Sequence, residues 1–224
     1  MEKKLISVVT PCFNEDGNIV EVYSQVKRII ENQLPEYEYE HIFIDNASTD
    51  NTIELLKGIA KTDKNVKIII NSRNFGHIRS PVYGMMQAKG DVVISLVSDL
   101  QDPPQMIVDF LHKYEDGYNI VLGIKKSSQE NSVMFSIRRL YYKLLKKISN
   151  VEIFENYTGF GLYDKKSMCA LRAMPDSYPF FRGMVAEIGY KVEKIYYDQP
   201  ERRKGITKNN FYTLYDLGIL GLIN

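Results

Sequence analysis

Four short apolar runs, each followed by a polar loop and a stretch of helical character, organise the first half of the chain. The runs are rich in Val and Ile and lack the alternation of a half-exposed strand, which is typical of strands covered on both faces. They are Leu5–Thr10, Glu40–Asp45, Val66–Ile70 and Val92–Val97. Three helical stretches follow the first three runs. The first covers about 19–32, the second runs from an N-cap at Ser48 or Asp50 to 61, and the third covers about 78–88. This order predicts βαβ units, so we expect an α/β fold with a mostly parallel central sheet flanked by helices.

The fourth run ends abruptly in a polar, acidic turn. The turn contains Ser98, Asp99, Gln101 and Asp102, and Pro103 and Pro104 follow it. In an open α/β sheet, ligands bind at the carboxyl ends of the strands, and grouped oxygen donors there suit a Mg2+ or Mn2+ ion that carries a diphosphate. The same residues also fit a plain capped turn, with Asp102 as the N-cap of a helix that begins at Pro103. The turn by itself leaves both interpretations open.

Acids follow three of the predicted strands, always at the carboxyl end. They are Glu15, Asp45 and Asp99. A dinucleotide-binding Rossmann loop needs G-x-G-x-x-G directly after the first strand, whereas the loop after Thr10 has the single glycine Gly17. A Walker phosphate loop is absent from the sequence as well. The pattern therefore predicts that bound phosphates are held by a metal and by basic side chains.

Composition limits the class of protein. With 224 residues and 44% hydrophobic content, the chain is long enough for one full core. The formal net charge of +1 gives no argument for nucleic-acid binding. Cys12 and Cys169 are isolated, which favours a cytosolic setting without disulfides. The first residues lead directly into an apolar strand, so we expect no secretory signal, and no stretch of the sequence reaches the roughly 20 apolar residues of a membrane span.

Five segments together resemble one family. They are VVTPCFNEDGN (8–18), IDNASTDNT (44–52), NSRNFGHIRSPVYGMMQAKGD (71–91), SDLQDPP (98–104) and ERRKGITK (201–208). The chain resembles a family 2 glycosyltransferase of GT-A fold, in the branch of dolichol-phosphate mannosyltransferases and polyprenyl-phosphate glucosyltransferases. The resemblance implies a catalytic domain over 1–208 and leaves 209–224 as an apolar tail, either interfacial or the start of a membrane anchor.

The resemblance implies a set of contacts to a nucleotide sugar. The set is Pro11, Phe13, Glu15, Asp45, Arg73, Asn74, Ser98 and Asp99. An aromatic ring and a proline offer flat apolar contact to a base, and carboxylates accept hydrogen bonds from base N–H or ribose hydroxyl groups. Structural roles stay open beside these: Phe13 as a core residue, and Arg73 as the ion-pair partner of Asp45 or Asp91.

The resemblance further implies that Asp99 and Gln101 hold the Mg2+ or Mn2+ ion, and that Asp99, Gln101 and Asp102 form the catalytic group. The branch has an Asp-x-Asp pair at this point, and Val97 replaces its first acid. One carboxylate, Gln101, the donor phosphates and water still complete six-coordination.

A second departure concerns the acceptor. The segment from Thr158 to Gly161 has no acid where the branch has Gly-Asp-Phe. A sugar hydroxyl needs a general base, whereas a phosphate is already ionised at neutral pH. We therefore expect an inverting transfer of a hexose from a nucleotide sugar, preferably a UDP-sugar, to a polyprenyl phosphate such as undecaprenyl or dolichyl phosphate.

Two other functions remain as alternatives. A transferase that acts on a saccharide hydroxyl in capsule or cell-wall synthesis would need an acid near the anomeric carbon, and Asp99, Asp102 and Glu187 are the candidates. A non-catalytic nucleotide-sugar-binding module is suggested by Val97 and by Asn46, which also replaces an acid of the branch.

Basic residues concentrate in the second half. The candidates for contact with the donor or acceptor phosphates are Arg138, Arg182, Arg202 and Lys208. The predicted helix 132–150 has an apolar side and a side crowded with Arg and Lys, which suits an anionic membrane surface as well as a solvated helix. We expect a peripheral protein at the cytoplasmic face of the membrane, with a membrane-protein partner or a second copy of the chain as a further possibility.

Overall fold

A computed structural model describes residues 3–126, 154, 156–174 and 178–200. The strands in this part are β1 Leu5–Cys12, β2 Glu38–Asp45, β3 Val66–Ile70, β4 Val92–Ser95, β5 Ile120–Lys125, β6 Tyr157–Asp164 and β7 Val192–Tyr197. The helices are α1 Ile19–Gln33, α2 Thr52–Thr62, α3 Gly76–Gln87, α4 Met106–Glu115, α5 Lys165–Ala173 and α6 Phe181–Glu187. None of these helices is long and apolar enough to cross a membrane.

The strands form one sheet in the order β3-β2-β1-β4-β6-β5-β7. All neighbouring pairs are parallel except those that β6 makes with β4 and β5. The expected α/β fold with a mostly parallel central sheet is confirmed. The first four strands match the four apolar runs, because their buried, β-branched residues suit a sheet covered on both faces.

Helices cover the two faces of the sheet. On one face, α1, α2 and α4 pack against inward residues such as Ile6, Val8 and Phe43. On the other face, α3, α5 and α6 pack against the alternate residues, among them Val9 and Val93. Successive side chains of a strand point to opposite faces, so an apolar run without alternation is what two helical layers require.

Two boundaries around the acidic turn differ from the sequence prediction. β4 ends at Ser95, because its pairing with β1 finishes there and the chain leaves the ladder after the Leu96 N–H bonds the Val9 carbonyl at 2.9 Å. α4 begins at Met106, so the prediction of a helix from Pro103 with Asp102 as its N-cap is wrong. Asp102 is turned inward, where it meets Tyr197 instead of the helix.

The register places the ends of the first four strands at one edge. Cys12 at the end of β1 is opposite Asp45 at the end of β2, and Asp45 is opposite Ile70 at the end of β3. Val9 of β1 is opposite Ser95 at the end of β4. The loops that follow these strands therefore meet at the carboxyl edge of the sheet, where open α/β folds bind ligands.

Candidate active site at the carboxyl edge

The loops after β1 and β2 are joined by hydrogen bonds. The Asn14 N–H donates to Ser48 Oγ at 2.9 Å, and the Thr49 N–H donates to Asn14 Oδ1 at 2.7 Å. The Glu15 N–H donates to Thr52 Oγ1 at 2.9 Å, at the start of α2. Asn14 has a φ of 55°, a left-handed conformation that Asn tolerates better than most residues. These contacts fix the first two loops as one unit.

The two carboxylates of this unit are buried. Asp45 is 0% exposed; its Oδ1 accepts the Ser48 N–H at 2.9 Å and its Oδ2 accepts the Ser48 hydroxyl. Glu15 Oε2 accepts from Asn18 Nδ2 at 2.7 Å. Ser48 is therefore a partner of Asp45. The prediction of Ser48 or Asp50 as the N-cap of α2 is wrong, because Asn51 is at that position, although Asp50 just before it accepts the Thr52 N–H at 3.0 Å. The Asp45 carboxylate therefore shapes the turn that follows β2.

The apolar candidates lie in the same loop. Pro11 is paired with Ile44 one residue before the pairing of β1 with β2 ends at Cys12, and Phe13 follows directly. Both Pro11 and Phe13 are partly exposed, so Phe13 lies outside the buried core. The interpretation of Phe13 as a fully buried core residue is therefore wrong.

Cys12 adds a residue that the sequence did not single out. Its Sγ lies 3.6 Å from the Ile44 carbonyl and 3.9 Å from Asp45 Oδ2. Burial, and then the nearby Asp45 and Glu15 charges, raise the pKa of this thiol far above its ordinary value. The thiolate is the reactive form of cysteine, so burial keeps Cys12 as an unreactive thiol.

Asn46 organises the loop after β3. Its Oδ1 accepts the Phe75 backbone N–H at 2.9 Å, and its Nδ2 donates to the Gly76 carbonyl at 3.2 Å and to Asn74 Oδ1 at 2.9 Å. Asn71 Nδ2 also donates to Asn46 Oδ1 at 3.2 Å. An aspartate has no donor for the two acceptors, so the replacement of an acid by Asn46 belongs to the architecture of this loop.

Arg73 lies on an aromatic ring. Its guanidinium carbon is 4.1 Å from the centroid of the Phe75 ring, and Nη1 donates to the Asn74 carbonyl at 3.2 Å. The alternative in which Arg73 pairs with Asp45 or Asp91 is wrong, since Ser48 occupies the Asp45 carboxylate and Asp91 bonds the Leu5 N–H at 3.0 Å before β4. Arg73 is exposed, and Phe75 was not predicted as its support.

The acidic turn has an exposed side and a buried side. Asp99 Oδ1 accepts the Gln101 N–H at 3.1 Å, and Asp99 and Gln101 are both partly exposed. Ser98 is buried and Asp102 is 2% exposed. The Tyr197 hydroxyl donates to Asp102 Oδ1 at 2.6 Å. Burial raises the pKa of the Asp102 carboxyl to about 6, against the lowering effect of the Tyr197 bond.

Comparison with known proteins identifies the family. The sequence model of the protein family described as Glycosyl transferase family 2 matches residues 7–171 of the chain. The chain belongs to glycosyl transferase family 2. It is similar to a prophage bactoprenol glucosyl transferase homolog of Escherichia coli K12, at 33% identity over 218 residues, which cover 97% of this chain and 71% of the relative. The resemblance of its motifs is thereby confirmed, and the protein is a glycosyltransferase.

Solved structures confirm the GT-A fold of this family 2 glycosyltransferase. The mannosyltransferase PcManGT of Pyrobaculum calidifontis, solved with GDP-Man and Mn2+, matches with a TM-score of 0.64 at 16% identity over 99% of this chain and 63% of its own. Glucosyl-3-phosphoglycerate synthase of Mycobacterium tuberculosis was solved with Mn2+, UDP-Glc and phosphoglyceric acid. It matches with a TM-score of 0.63 at 16% identity, over 98% of this chain and 79% of its own. The chain thus spans 63% to 79% of the length of these three proteins.

The acidic turn of this family 2 glycosyltransferase fits a divalent metal with few protein ligands. Asp99 offers a partly exposed carboxylate and Gln101 an amide oxygen, both hard donors. The described residues contain no group of three His, Cys, Asp or Glu side chains that would enclose an ion. Mg2+ is commonly bound by one or two carboxylates plus substrate phosphates and water, so the donor set matches a metal that arrives with a diphosphate.

The basic candidates are only partly described. Arg182 lies in the first turn of α6 and is partly exposed. Arg138, Arg202 and Lys208 lie outside the described residues, as do the predicted helix 132–150 and the tail 209–224. Thr158–Gly161 lies within β6, where the ring of Phe160 packs on Tyr197.

Proposed function

We propose that this glycosyltransferase moves a hexose from a nucleotide sugar to a polyprenyl phosphate. The observation that carries the proposal is the division of the acidic turn into a partly exposed Asp99 and a buried Asp102. Such a turn offers a carboxylate to a metal-bound diphosphate, while the second acid is directed inward to Tyr197. The name of the bactoprenol glucosyl transferase homolog supports the same acceptor class.

The donor would occupy the edge formed by the first four loops. Pro11 and Phe13 supply apolar contact to the base, and Glu15 and Asp45 belong to the same two loops, with their carboxylates held by Asn18 and Ser48. Arg73 and Asn74 supply a cation and an amide from the loop after β3. The base preference is proposed to be uracil. The diphosphate would extend toward Ser98 and Asp99, at the end of β4.

The transfer itself is a direct displacement. A phosphate oxygen of the acceptor forms the new bond to the anomeric carbon as the bond from that carbon to the diphosphate oxygen breaks, and the nucleoside diphosphate leaves with the electron pair. An acceptor phosphate is already charged at neutral pH, so no side chain has to remove a proton. Displacement from the opposite side inverts the anomeric centre.

Asp99 and Gln101 are the residues that would hold a Mg2+ or Mn2+ ion. When bound, such an ion neutralises the charge of the diphosphate leaving group. Arg138, Arg182, Arg202 and Lys208 are proposed to contact the phosphates of the donor or acceptor, because guanidinium groups form paired hydrogen bonds with phosphate and ammonium groups bind it as point charges. A lipid acceptor places the enzyme at the membrane surface, for which we propose the cytoplasmic face.

The decisive experiment is the release of nucleoside diphosphate from UDP-glucose and GDP-mannose, with Mn2+ or with EDTA, and with or without a short-chain polyprenyl phosphate. We expect metal-dependent release that rises with the lipid phosphate and is greater for UDP-glucose. Asp99→Asn keeps the size of the side chain and should abolish release, whereas Asp109→Asn on the exposed side of α4 should not change it. Release stimulated by a saccharide, or donor binding without release, would reject the polyprenyl phosphate acceptor.

A further inference from the structure

A buried hydrogen bond joins the acidic turn to a distant strand. Tyr197, at the end of β7, donates its hydroxyl to Asp102 Oδ1 at 2.6 Å across 95 positions of sequence. Tyr197 is 6% exposed and Asp102 2% exposed. A hydrogen bond to a charged group, shielded from water, is among the stronger contacts that a side chain makes. The contact therefore ties the turn to the sheet at a point far from β4.

The turn needs such an anchor because its backbone is unfavourable. Leu100 has a φ of 60°, a left-handed conformation that a non-glycine residue adopts only where its surroundings impose it. Its side chain is buried in the core beside the turn. Asp99 closes the exposed side of the turn with its own bond to the Gln101 N–H. On the inner side, Asp102 accepts the Tyr197 hydroxyl from a distant strand and a backbone hydrogen bond from Val97 just before the turn.

Aromatic packing fixes the position of the Tyr197 ring. The Phe160 ring of β6 lies edge-on to Tyr197 at 5.5 Å between centroids and tilted to Phe110 of α4 at 4.9 Å. Gly123 of β5 leaves room for Phe160, since a Cβ there would lie 2.5 Å from Phe160 Cδ1. A chain of contacts thus connects α4 with the acidic turn, through Phe110, Phe160, Tyr197 and Asp102. The Tyr197 side chain therefore has little freedom to move.

We infer that Tyr197 is a positioning residue that acts through Asp102 to hold the Asp99–Asp102 turn in its working geometry. The inference rests on the proposed function for the role of Asp99 and Gln101 at the donor diphosphate. It assigns no contact with the substrate to Tyr197. Loss of the hydroxyl leaves the aromatic packing in place but removes the hydrogen bond that ties the inner side of the turn to β7.

The test compares Tyr197→Phe with Tyr196→Phe. Tyr196 is the neighbouring residue on β7 and is 58% exposed, so it provides a matched loss of one hydroxyl. Hydrogen exchange measured by mass spectrometry should be faster in the peptide covering residues 97–105 of Tyr197→Phe, and unchanged in strands β1 and β2. The Tyr196→Phe protein should exchange like the unsubstituted protein.

Kinetics separate positioning from a merely structural role. For Tyr197→Phe we expect kcat for nucleoside diphosphate release to fall about tenfold or more with a smaller change in KM for the donor, because small misplacements of reacting groups are costly in rate. Asp102→Asn combined with Tyr197→Phe should lose little more than either change alone, because the two act as a unit.

Two results would overturn the inference. One is unchanged exchange of the 97–105 peptide in Tyr197→Phe; the other is an equal rise of exchange throughout the protein, which would mark Tyr197 as a general packing residue. The hydrogen-exchange measurement needs neither substrate nor metal. If the unsubstituted protein releases no nucleoside diphosphate, the proposed function fails, and the exchange result still decides the role of Tyr197.

Discussion

Asn46 and Asn74 are joined by a 2.9 Å hydrogen bond in which the amide of Asn46 is the donor. The orientation of the Asn46 amide follows from two backbone groups, the Phe75 N–H that its oxygen accepts and the Gly76 carbonyl to which its nitrogen donates. The loop carrying Arg73 and Asn74 is therefore built around an amide at position 46. This relationship weakens the case for a decayed, non-catalytic binding module. The Asn46 amide nitrogen donates two hydrogen bonds that shape the loop, and a carboxylate at this position has no such donor.

Substitution of Asn46 by aspartate should disturb this loop. The carboxylate keeps the acceptor but directs a buried charge at the Gly76 carbonyl and Asn74 Oδ1. We expect a loss of about 1–3 kcal/mol in the free energy of unfolding, together with weaker UDP binding. Urea unfolding and calorimetry measure the two effects. Asn32→Asp, at an exposed position of α1, makes the same chemical change and should leave both quantities nearly unchanged; equal effects of the two substitutions would contradict this account.

The sequence predicted the first half of the sheet well because its strands carry a local signal. Apolar runs without alternation, each followed by a polar loop, identify strands of a covered parallel sheet, and the topology then brings Glu15, Asp45 and Asp99 to one edge. The antiparallel β6 between β4 and β5 gave no such signal, since strand order is decided by packing between distant parts of the chain.

The contacts that refine the site depend on long-range packing. Tyr197 reaches Asp102 across 95 positions, and no local spacing indicates that pair. Asn46 looked like a lost acid because its hydrogen-bond partners lie in a loop about 28 positions away. Arg73 looked like an ion-pair partner, whereas its guanidinium group lies on the nearby Phe75 ring. The sequence signal for this contact was an aromatic residue two positions after an arginine in a loop.

Gly84 of α3 should be intolerant of a larger side chain. A Cβ there would lie 2.8 Å from Ile44 Cγ2 and 3.1 Å from Val9 Cγ1, so the helix would be pushed away from β1 and β2. We expect Gly84→Ala to lower the free energy of unfolding by about 1–3 kcal/mol. Gly58 of α2 has open space around its Cα, and Gly58→Ala should be neutral or stabilising, because Ala favours the helix. The denaturant midpoint should therefore fall for Gly84→Ala and stay equal or rise for Gly58→Ala, and a similar fall in both variants would contradict the packing argument.

His41 should make the protein less stable in mild acid. The imidazole is fully buried in β2, with Nε2 2.9 Å from Thr10 Oγ1, and burial lowers its pKa to about 3. The native side chain stays neutral while the unfolded one takes up a proton below about pH 6.5. Its contribution is therefore complete above pH 6.5 and decreases as the pH falls toward 3, by about 1.4 kcal/mol per pH unit.

The check for His41 is the change of the unfolding free energy between pH 7 and pH 5. His41→Leu removes the titrating group and should flatten this dependence by about 2 kcal/mol over the interval. His112→Gln, at an exposed position of α4, should keep the dependence of the unsubstituted protein. A His41→Leu protein that loses as much stability as the unsubstituted one between these pH values would assign the acid sensitivity to other groups.

Val97→Asp should strengthen metal binding at the acidic turn. Val97 is partly exposed and lies two residues before Asp99, so the substitution adds a second carboxylate at the end of β4. Each added oxygen ligand replaces one that water must otherwise provide, and we expect Mn2+ to bind the protein with UDP about tenfold more tightly by calorimetry. Val97→Asn, which adds a polar group without charge, should change the affinity less.

If the unsubstituted protein releases no nucleoside diphosphate and Val97→Asp does, the chain is a decayed enzyme; if both do, the single carboxylate of Asp99 is sufficient for the reaction. A Val97→Asp protein with unchanged Mn2+ affinity would place the metal away from this turn.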